Sequence, residues 1–236
     1  IIDRGPPVYD SILTKIQKKM WEKSWKIANE KSQGGFVVSE NHKKLVEKTG
    51  INIPIKPLSA GINNSEYKNL RDKDIKDKID IIYAGRLDKN RGMENVIKFS
   101  RKISKISIPS KMHIMGEGDY SKKIRRVAKN NQYLEFHGKL NSNEVRKIMK
   151  KSHFGVMPMP KSEIWPTSSP IKLYEYIASG MLIIGDRHIG NMLEETDGRW
   201  SLLVIGDEWV NKSIGKIEDI IREEDFSSLS KIASSL

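Results

Sequence analysis

Two arginines, each next to a glycine, are the first residues whose types and spacing could form a binding site. Arg86 follows Gly85, and Arg91 precedes Gly92, so two guanidinium groups lie in one glycine-bounded loop. A guanidinium group binds phosphate oxygens through paired, charge-assisted hydrogen bonds. The loop is therefore predicted to bind a phosphate-bearing ligand; an ordinary surface loop with two arginines is the alternative.

A second pair of glycines, Gly116 and Gly118, flanks Glu117. Glycines at this spacing permit a tight turn and let the backbone approach a ligand closely. The pattern lacks the third glycine and the spacing to a helix start that a dinucleotide-binding fingerprint requires. We predict that both glycines contact the same ligand, and a plain turn is the alternative.

The segment from Thr167 to Pro170 has the residues of a helix start. Ser169 is a good N-cap and Pro170 a good first helical residue. The free N–H groups and the positive dipole end of such a helix can bind an anion. Thr167 and Ser168 add hydroxyl donors, so the segment predicts a second contact with phosphate.

Lys172 and Glu175 are three residues apart in this predicted helix, which places them on one face. A carboxylate can accept hydrogen bonds from two adjacent hydroxyl groups, so Glu175 suits the diol of a ribose. The alternative is a capped helix that carries an ordinary Lys–Glu pair.

The elements that must position these residues follow from an alternation that begins at residue 79. Continuous apolar runs alternate with helical patterns, which predicts an α/β fold: a Rossmann-like, parallel, six-stranded sheet flanked by helices. The apolar runs are 79–84, 111–115, 133–137, 153–157, 181–185 and 201–205; the helical patterns are 92–106, 119–130, 142–151, 170–179, 189–195, 208–222 and 226–235. Ligands of such sheets bind beyond the carboxyl ends of the strands, so the three segments are expected to meet there.

The residues before 79 predict a smaller unit. Residues 11–31 form an amphipathic pattern whose apolar positions are Ile12, Ile16, Met20 and Ile27, with lysines on a neighbouring face; Trp21 and Trp25, four residues apart, widen the apolar side. Such a helix either packs on a sheet or associates peripherally with an anionic membrane, and both alternatives stay open.

Strands are predicted at 36–39 and 53–58, with a helix at 40–48 between them, and the polar stretch 67–78 indicates a linker. The expected domains are therefore 1–60, a linker at 61–78, a ligand-binding domain at 79–224 and a C-terminal helix at 225–236.

The composition excludes several classes of site. The chain has no cysteine, so it has neither a disulfide nor a thiol nucleophile nor a Cys-ligated metal. No apolar run approaches the roughly 18 residues that span a bilayer. The net charge of +12 invites a polyanion, but the lysines are spread over the whole length, which favours solvated surface. We expect no nucleic-acid partner and a cytoplasmic protein.

Taken together, these motifs resemble the donor domain of glycosyltransferase family 4. The matching pieces are Gly85-Arg86-Leu87 with Arg91-Gly92, Gly116-Glu117-Gly118, Phe136-His137-Gly138, and Pro170-Ile171-Lys172-Leu173-Tyr174-Glu175 continuing to Gly180. They stand in the order and rough spacing of that family, and the resemblance covers about residues 35–205. It implies a two-domain GT-B fold and a retaining transferase whose donor is a UDP-, GDP- or ADP-sugar. It also implies that no metal or other cofactor is required.

The resemblance assigns roles to particular residues. Arg86 matches the diphosphate-binding arginine, and Arg91 stands where the family has a lysine with the same task, so both would stabilise the leaving group. Glu175 matches the glutamate that holds the ribose. Thr167 stands where the family has the glutamate that reaches the donor sugar. The full set of residues expected to line the donor site is Gly85, Arg86, Arg91, Gly116, Gly118, Thr167, Ser168, Ser169, Lys172, Leu173 and Glu175.

The resemblance further implies that this chain is the donor-binding half, with residues 1–60 as the end of an acceptor domain. The acceptor would be a glycan or a lipid-linked molecule. Of the five histidines, only His188 lies in a loop at the predicted ligand edge. Two alternatives stay open: a catalytically silent subunit that binds a nucleotide sugar and needs a partner, and a basic nucleic-acid-binding protein.

Overall fold

The computed structural model describes residues 1–7, 12–162, 165–193, 199–223 and 225–236, with the side chains of Ile12 and Pro166 excepted. The chain forms two compact units. The first comprises Ile1–Gly61 and Lys161–Pro170, and the second comprises Ile62–Pro160 and Ile171–Leu236. None of the helices in the described ranges has the length and hydropathy needed to cross a membrane.

The first unit is built on a small parallel sheet. Its strands are β1 (Ile2–Asp3), β2 (Gly35–Val37) and β3 (Ile55–Pro57), in that spatial order, and its helices are α1 (Ile12–Lys31) and α2 (Glu40–Glu47). A compact apolar core forms from Trp25, Ala28, Val37, Val46, Ile51 and Ile55. The predicted strand–helix–strand pattern between residues 36 and 58 is therefore present.

Of the predicted apolar side of α1, the tryptophans pack, whereas three of the aliphatic residues do not. Trp25 and Ala28 are buried, whereas Ile16, Met20 and Ile27 are exposed by 52%, 63% and 46%. Ile16, Met20 and Ile27 are therefore not part of the buried core, and the side chain of Ile12 lies outside the described part of the structure. The physical reason is that an indole fills more of the core than an aliphatic side chain, and periodicity does not register the polar partner that an indole N–H also needs.

The second unit contains the predicted six-stranded sheet. Its strands are β4 (Ile79–Ala84), β5 (Ser110–Met115), β6 (Leu134–Gly138), β7 (Phe154–Met157), β8 (Leu182–Asp186) and β9 (Ser201–Val204). All neighbouring strands pair in parallel, in the spatial order β6-β5-β4-β7-β8-β9. Strands β4, β7 and β8 are wholly buried, as continuous apolar runs predict for strands covered on both faces, whereas only Leu134 is buried in the edge strand β6.

The helices of this unit are α3 (Met93–Lys102), α4 (Ser121–Lys129), α5 (Ser142–Lys151), α6 (Ile171–Ala178), α7 (Trp209–Glu223) and α8 (Phe226–Ser235). Helix α6 begins one residue after the predicted start. The helix predicted at 189–195 is instead a short 3-10 turn at Ile189–Asn191, and residues 194 and 195 lie outside the described ranges.

The stretch predicted as a linker belongs to the second unit. Tyr67 and Leu70 are buried within it. Lys73 donates hydrogen bonds from Nζ to the carbonyl oxygens of Met149 (2.7 Å) and Ser152 (2.8 Å), and burial lowers its pKa to about 7. The boundary between the units, at Gly61 and Ile62, thus lies at the start of the predicted linker 61–78, and buried side chains attach the stretch after it to the second unit.

Candidate functional site

The strand order creates a switch point between β4 and β7. From β4 the chain proceeds outward through β5 and β6, and from β7 it proceeds in the opposite direction through β8 and β9. Connections therefore leave the two central strands towards opposite sides, which opens a crevice at their carboxyl ends. The loops after β4, β5 and β6 begin at Gly85, Gly116 and Lys139, so all three border this edge of the sheet.

The glycines of these loops are required by contacts between the loops themselves. Gly116 has φ +131°, and a Cβ atom there would lie 1.8 Å from the carbonyl oxygen of Gly85. A Cβ atom at Gly118 would lie 2.4 Å from the carbonyl carbon of Leu87. Packing of one loop against the next thus accounts for both glycines, and their predicted contact with a ligand stays a prediction.

A buried carboxylate links the two arginines of the first loop. Arg86 donates from Nε and Nη2 to the two oxygens of Asp88, each at 3.0 Å, and Arg91 Nε lies 3.9 Å from Asp88 Oδ2. The side chain of Asp88 is 4% exposed, whereas that of Arg86 is 60% exposed. Asp88 therefore fixes a guanidinium group that remains accessible. Asp88 lies two residues after Arg86 and three before Arg91. This spacing alone indicates that one carboxylate could contact both arginines, although this contact was not predicted from the sequence.

The charge of Asp88 follows from these contacts. Burial alone would raise the pKa of its carboxyl group, but the hydrogen bonds and charge of Arg86, with the charge of Arg91, outweigh burial and lower it. Asp88 is consequently ionised at neutral pH, so each arginine has an anionic partner beside it.

Two adjoining cavities lie at this edge of the sheet and share Leu140, Val145 and Lys172. The first has a volume of about 300 Å³, and its other lining residues are Ala84, Gly85, Arg86, Met115, Gly116, Glu117 and Lys139. The second has a volume of about 140 Å³, and its other lining residues are Tyr67, Ser142, Arg146, Met149 and Glu175. The first cavity is rich in cations, and the second presents a carboxylate.

Glu175 is held from both sides within the smaller cavity. Its Oε1 accepts a hydrogen bond from the Tyr67 hydroxyl at 3.1 Å, and its Oε2 accepts one from Lys172 Nζ. Burial, followed by the charge of Glu175, raises the pKa of Tyr67 to about 12, so the phenol keeps its proton. Tyr67, Lys139 and Arg146 were not predicted; Tyr67 in particular lies in the stretch taken for a linker.

The structure brings five of the predicted residues to these cavities: Gly85, Arg86, Gly116, Lys172 and Glu175. Arg91 and Gly118 lie in the same loops. Leu173 is 2% exposed and is part of the core.

Thr167, Ser168 and Ser169 belong to the first unit. The Thr167 carbonyl oxygen accepts a hydrogen bond from Ser39 Oγ at 2.7 Å, and Ser169 Oγ accepts one from the Ala60 N–H at 3.0 Å. These contacts attach the segment to the first unit, and they give the Ser169 hydroxyl a partner that the helix-cap pattern did not predict.

His188, the histidine at the predicted ligand edge, is buried. Its Nε2 lies 2.9 Å from the Met159 carbonyl oxygen, and its Nδ1 accepts from the Gly190 N–H at 3.2 Å. The ring thereby connects two loops through backbone contacts, which accounts for its presence structurally.

A larger cavity of about 470 Å³ lies elsewhere and is lined by Arg101, Arg126, Asn130, Asn131 and Tyr133 among others. Tyr133 directly precedes β6, so this cavity is at the amino end of that strand. Its position opposite the switch-point edge argues against it as the ligand site.

The overall architecture is that of GT-B glycosyltransferases. A pneumococcal O-GlcNAc transferase, GtfA, solved with UDP and GlcNAc, matches 92% of this chain and 44% of its own length, with 16% identity and a TM-score of 0.68. HepE of Anabaena, solved with UDP, matches 99% of this chain and 65% of its own length, with 12% identity and a TM-score of 0.72. Sucrose-phosphate synthase from Thermosynechococcus elongatus matches 99% of this chain and 61% of its own length, with 14% identity and a TM-score of 0.72.

The chain thus spans between 44% and 65% of the length of these three proteins. No curated protein sequence matches the chain significantly. A family model described as Glycosyl transferases group 1 matches residues 78–223, more than half of the chain. This span includes all six strands of the large sheet together with Arg86, Lys172 and Glu175. The chain belongs to the glycosyl transferases group 1 family.

Proposed function

We propose that this chain binds a nucleotide-sugar donor and forms the donor-binding half of a glycosyltransferase that retains the anomeric configuration. The observation that carries the proposal is the pair of cavities at the switch point, one lined by cations and the other by Glu175. UDP is the first nucleotide to test, because two of the similar proteins were solved with it. GDP- and ADP-sugars are the other candidates.

The diphosphate is proposed to bind in the larger cavity. Arg86, Lys139 and Lys172 line it, and Arg91 adds charge beside Asp88. Negative charge builds on the diphosphate as the bond to the sugar breaks, and fixed cations stabilise that charge more than they stabilise the ground state. The N–H groups of the first turn of α6 are proposed to contribute further donors.

The ribose is proposed to bind at Glu175. Its carboxylate accepts two hydrogen bonds, from Tyr67 and Lys172. An ionised carboxylate has about four lone-pair sites, so it can accept further hydrogen bonds from the two ribose hydroxyls without losing its present donors. Tyr67 and Lys172 would then hold the carboxylate in position.

The acceptor, a glycan or a lipid-linked molecule, is proposed to bind to an acceptor half and to attack the sugar from the face that the diphosphate leaves. The proton of the acceptor hydroxyl would pass to the departing phosphate oxygen. The cations of the larger cavity supply the charge that the leaving group needs, so we propose that no metal or other cofactor takes part.

Calorimetric titration of the chain with UDP, GDP and ADP, and with their glucose conjugates, tests this function. Removing a charge-assisted contact to the diphosphate costs about 2–4 kcal/mol, so Arg86→Ala is expected to weaken binding about 30- to 1000-fold. Glu175→Ala, which removes the ribose contact, is expected to weaken it about tenfold or more.

The matched control is Arg222→Ala, because Arg222 is 73% exposed and pairs with Asp219 on the surface of α7. It should bind the nucleotide as the unmodified chain does. Affinities of Arg86→Ala and Glu175→Ala equal to that of the control would refute the assignment of the site, and failure of the unmodified chain to bind all three nucleotides would refute the function.

Tyr67→Phe tests whether this residue acts through Glu175. Loss of the hydroxyl leaves one oxygen of the carboxylate without its donor, so we expect nucleotide affinity to fall about three- to tenfold. In a Glu175→Ala background the same substitution should have no further effect, because the group that Tyr67 positions is gone. Calorimetry on the four proteins of this cycle measures the coupling, with Tyr133→Phe as the control. Additive effects would contradict the positioning role.

A further inference from the structure

A cluster of potential metal ligands lies on strands β5 and β6, and it comprises His113, Glu135 and His137. His113 on β5 is the register partner of Glu135 on β6. His137 follows Glu135 by two residues, so both side chains project from the same face of β6. Phe136, between them, faces the other side, where the guanidinium carbon of Arg125 lies 5.6 Å from its ring centroid. Strand pairing thus brings two imidazole rings and one carboxylate close together.

The distances within the cluster match those of a metal site. His113 Nδ1 lies 3.1 Å from His137 Nε2 and 3.5 Å from Glu135 Oε2, and one ligand atom from each residue lies within 4.8 Å of the others. A tetrahedral ion with bonds of about 2.0–2.1 Å keeps its ligand atoms about 3.3 Å apart. The three side chains need only small adjustments to surround such an ion.

A buried carboxylate orients the first of these ligands. Asp80 Oδ1 lies 3.1 Å from His113 Nε2, and the side chain of Asp80 is 6% exposed. With Asp80 at its Nε2, His113 presents Nδ1 to the other two ligands. Metal-binding histidines have this carboxylate partner very often.

An ion can reach the cluster from solvent. Strand β6 is at the edge of the sheet, and the side chains of His137 and Glu135 are 18% and 49% exposed.

We propose that His113, Glu135 and His137 bind a divalent transition-metal ion of the Zn²⁺ type, with Asp80 as the positioning residue and water completing the coordination. Two imidazoles and one carboxylate favour such an ion over Mg²⁺ or Ca²⁺, which prefer oxygen ligands alone. The ion would join the edge strand β6 to β5 and thereby stabilise the second unit; it has no part in the proposed transfer reaction.

Titration of the chelator-treated chain with Zn²⁺, Co²⁺ and Mg²⁺ tests the site. We expect one Zn²⁺ or Co²⁺ per chain, a visible Co²⁺ absorption band typical of four-coordination, and no comparable Mg²⁺ binding. Zn²⁺ at 100 times its dissociation constant should raise the free energy of unfolding by about 2.7 kcal/mol, which thermal unfolding detects. Asp80→Asn is expected to weaken Zn²⁺ binding about 10- to 100-fold.

Because His113 and Asp80 are buried, the decisive variants are Glu135→Gln and His137→Gln, which lie nearer the surface. Each is expected to weaken Zn²⁺ binding at least about tenfold. Glu47→Gln is the control, since the side chain of Glu47 is 47% exposed and that of Glu135 is 49% exposed. The proposal fails if the unmodified chain binds no Zn²⁺ at millimolar concentration, or if both variants bind it as tightly as the control.

Discussion

Gly116→Ala is expected to lower the free energy of unfolding of the second unit by about 2–6 kcal/mol, the sum of about 1–3 for backbone strain and about 1–3 for overpacking. The residue has φ +131°, a region that side-chain-bearing residues rarely adopt, and its new Cβ would lie 1.8 Å from the carbonyl oxygen of Gly85. That oxygen belongs to backbone held by the hydrogen bond from Gly85 N–H to Met115, at 3.0 Å. The loop must therefore move.

The displaced loop carries Arg86, so nucleotide affinity should fall together with stability. Urea unfolding followed by circular dichroism measures the first effect, and calorimetry with UDP below the unfolding transition measures the second. A variant that unfolds with the midpoint of the unmodified chain would contradict the packing argument.

Substitutions at two further glycines measure the cost of backbone strain apart from the cost of a steric clash. Gly138 has φ +70°, but no described atom outside its immediate neighbours lies within 4 Å of a Cβ built there. Gly138→Ala should therefore lose only the strain, about 1–2 kcal/mol. Gly215 lies within α7 and has no positive φ, and a Cβ built there likewise has no described atom within 4 Å outside its neighbours and the backbone of its own helix. Because alanine favours a helix more than glycine does, Gly215→Ala should stabilise the unit by up to about 1 kcal/mol. If Gly116→Ala and Gly138→Ala lowered the free energy of unfolding equally, the steric clash at Gly116 would contribute nothing.

Asp3→Ala is expected to destabilise the first unit by about 3–5 kcal/mol, because a buried anion leaves and its buried donors lose their acceptor. Asp3 Oδ2 accepts from Trp21 Nε1 at 2.6 Å and from Trp25 Nε1 at 2.8 Å, and it lies 3.1 Å from His42 Nε2. Oδ1 accepts from the Gly5 N–H at 3.0 Å. The carboxylate thus joins β1 to α1 and α2.

The pH dependence of this effect has a definite sign. Burial raises the pKa of Asp3, but its hydrogen bonds, that of His42 first, outweigh burial and hold the pKa well below the ordinary value. A lowered pKa contributes stability above the unfolded-state value of about 3.9, and that contribution is lost as pH falls below it. The difference in unfolding free energy between the unmodified chain and Asp3→Ala should therefore be smaller below about pH 4 than at neutral pH.

Urea titrations at several pH values measure this difference. Glu47→Ala is the control in the same unit, since its exposed pair with Lys43, at 3.9 Å, should contribute about 0.5 kcal/mol or less. A difference between the unmodified chain and Asp3→Ala that grows as pH falls would contradict the assigned role.

The sequence by itself determined the class of fold and the edge at which to search for the site. Apolar runs without polar interruption predict parallel strands, because both faces of such strands are buried. The runs at 79–84 and 153–157 become the two central strands β4 and β7 almost residue for residue. The loops that follow strands were predicted to border the ligand edge for the same reason, and Arg86, Lys172 and Glu175 were selected there.

Only the tertiary structure decided which side chains support these residues. Tyr67, for example, reaches Glu175 across 108 positions of the chain. Periodicity describes a residue's own helix or strand and carries no information about a polar partner on another element. The stretch around Tyr67 was taken for a linker because its average composition is polar, although two buried side chains suffice to anchor it.

The same distinction applies to α1 and to the histidines. The aliphatic residues of α1 have helical spacing, yet Trp25 and Ala28 pack, because Asp3 gives the indole N–H a buried acceptor. His113 and His137 lie within the apolar runs 111–115 and 133–137, and the pairing of β5 with β6 brings their rings to 3.1 Å of each other. Patterns along the chain determined the elements; which elements are neighbours, and in what register, depended on packing and buried hydrogen bonds that exist only in the folded chain.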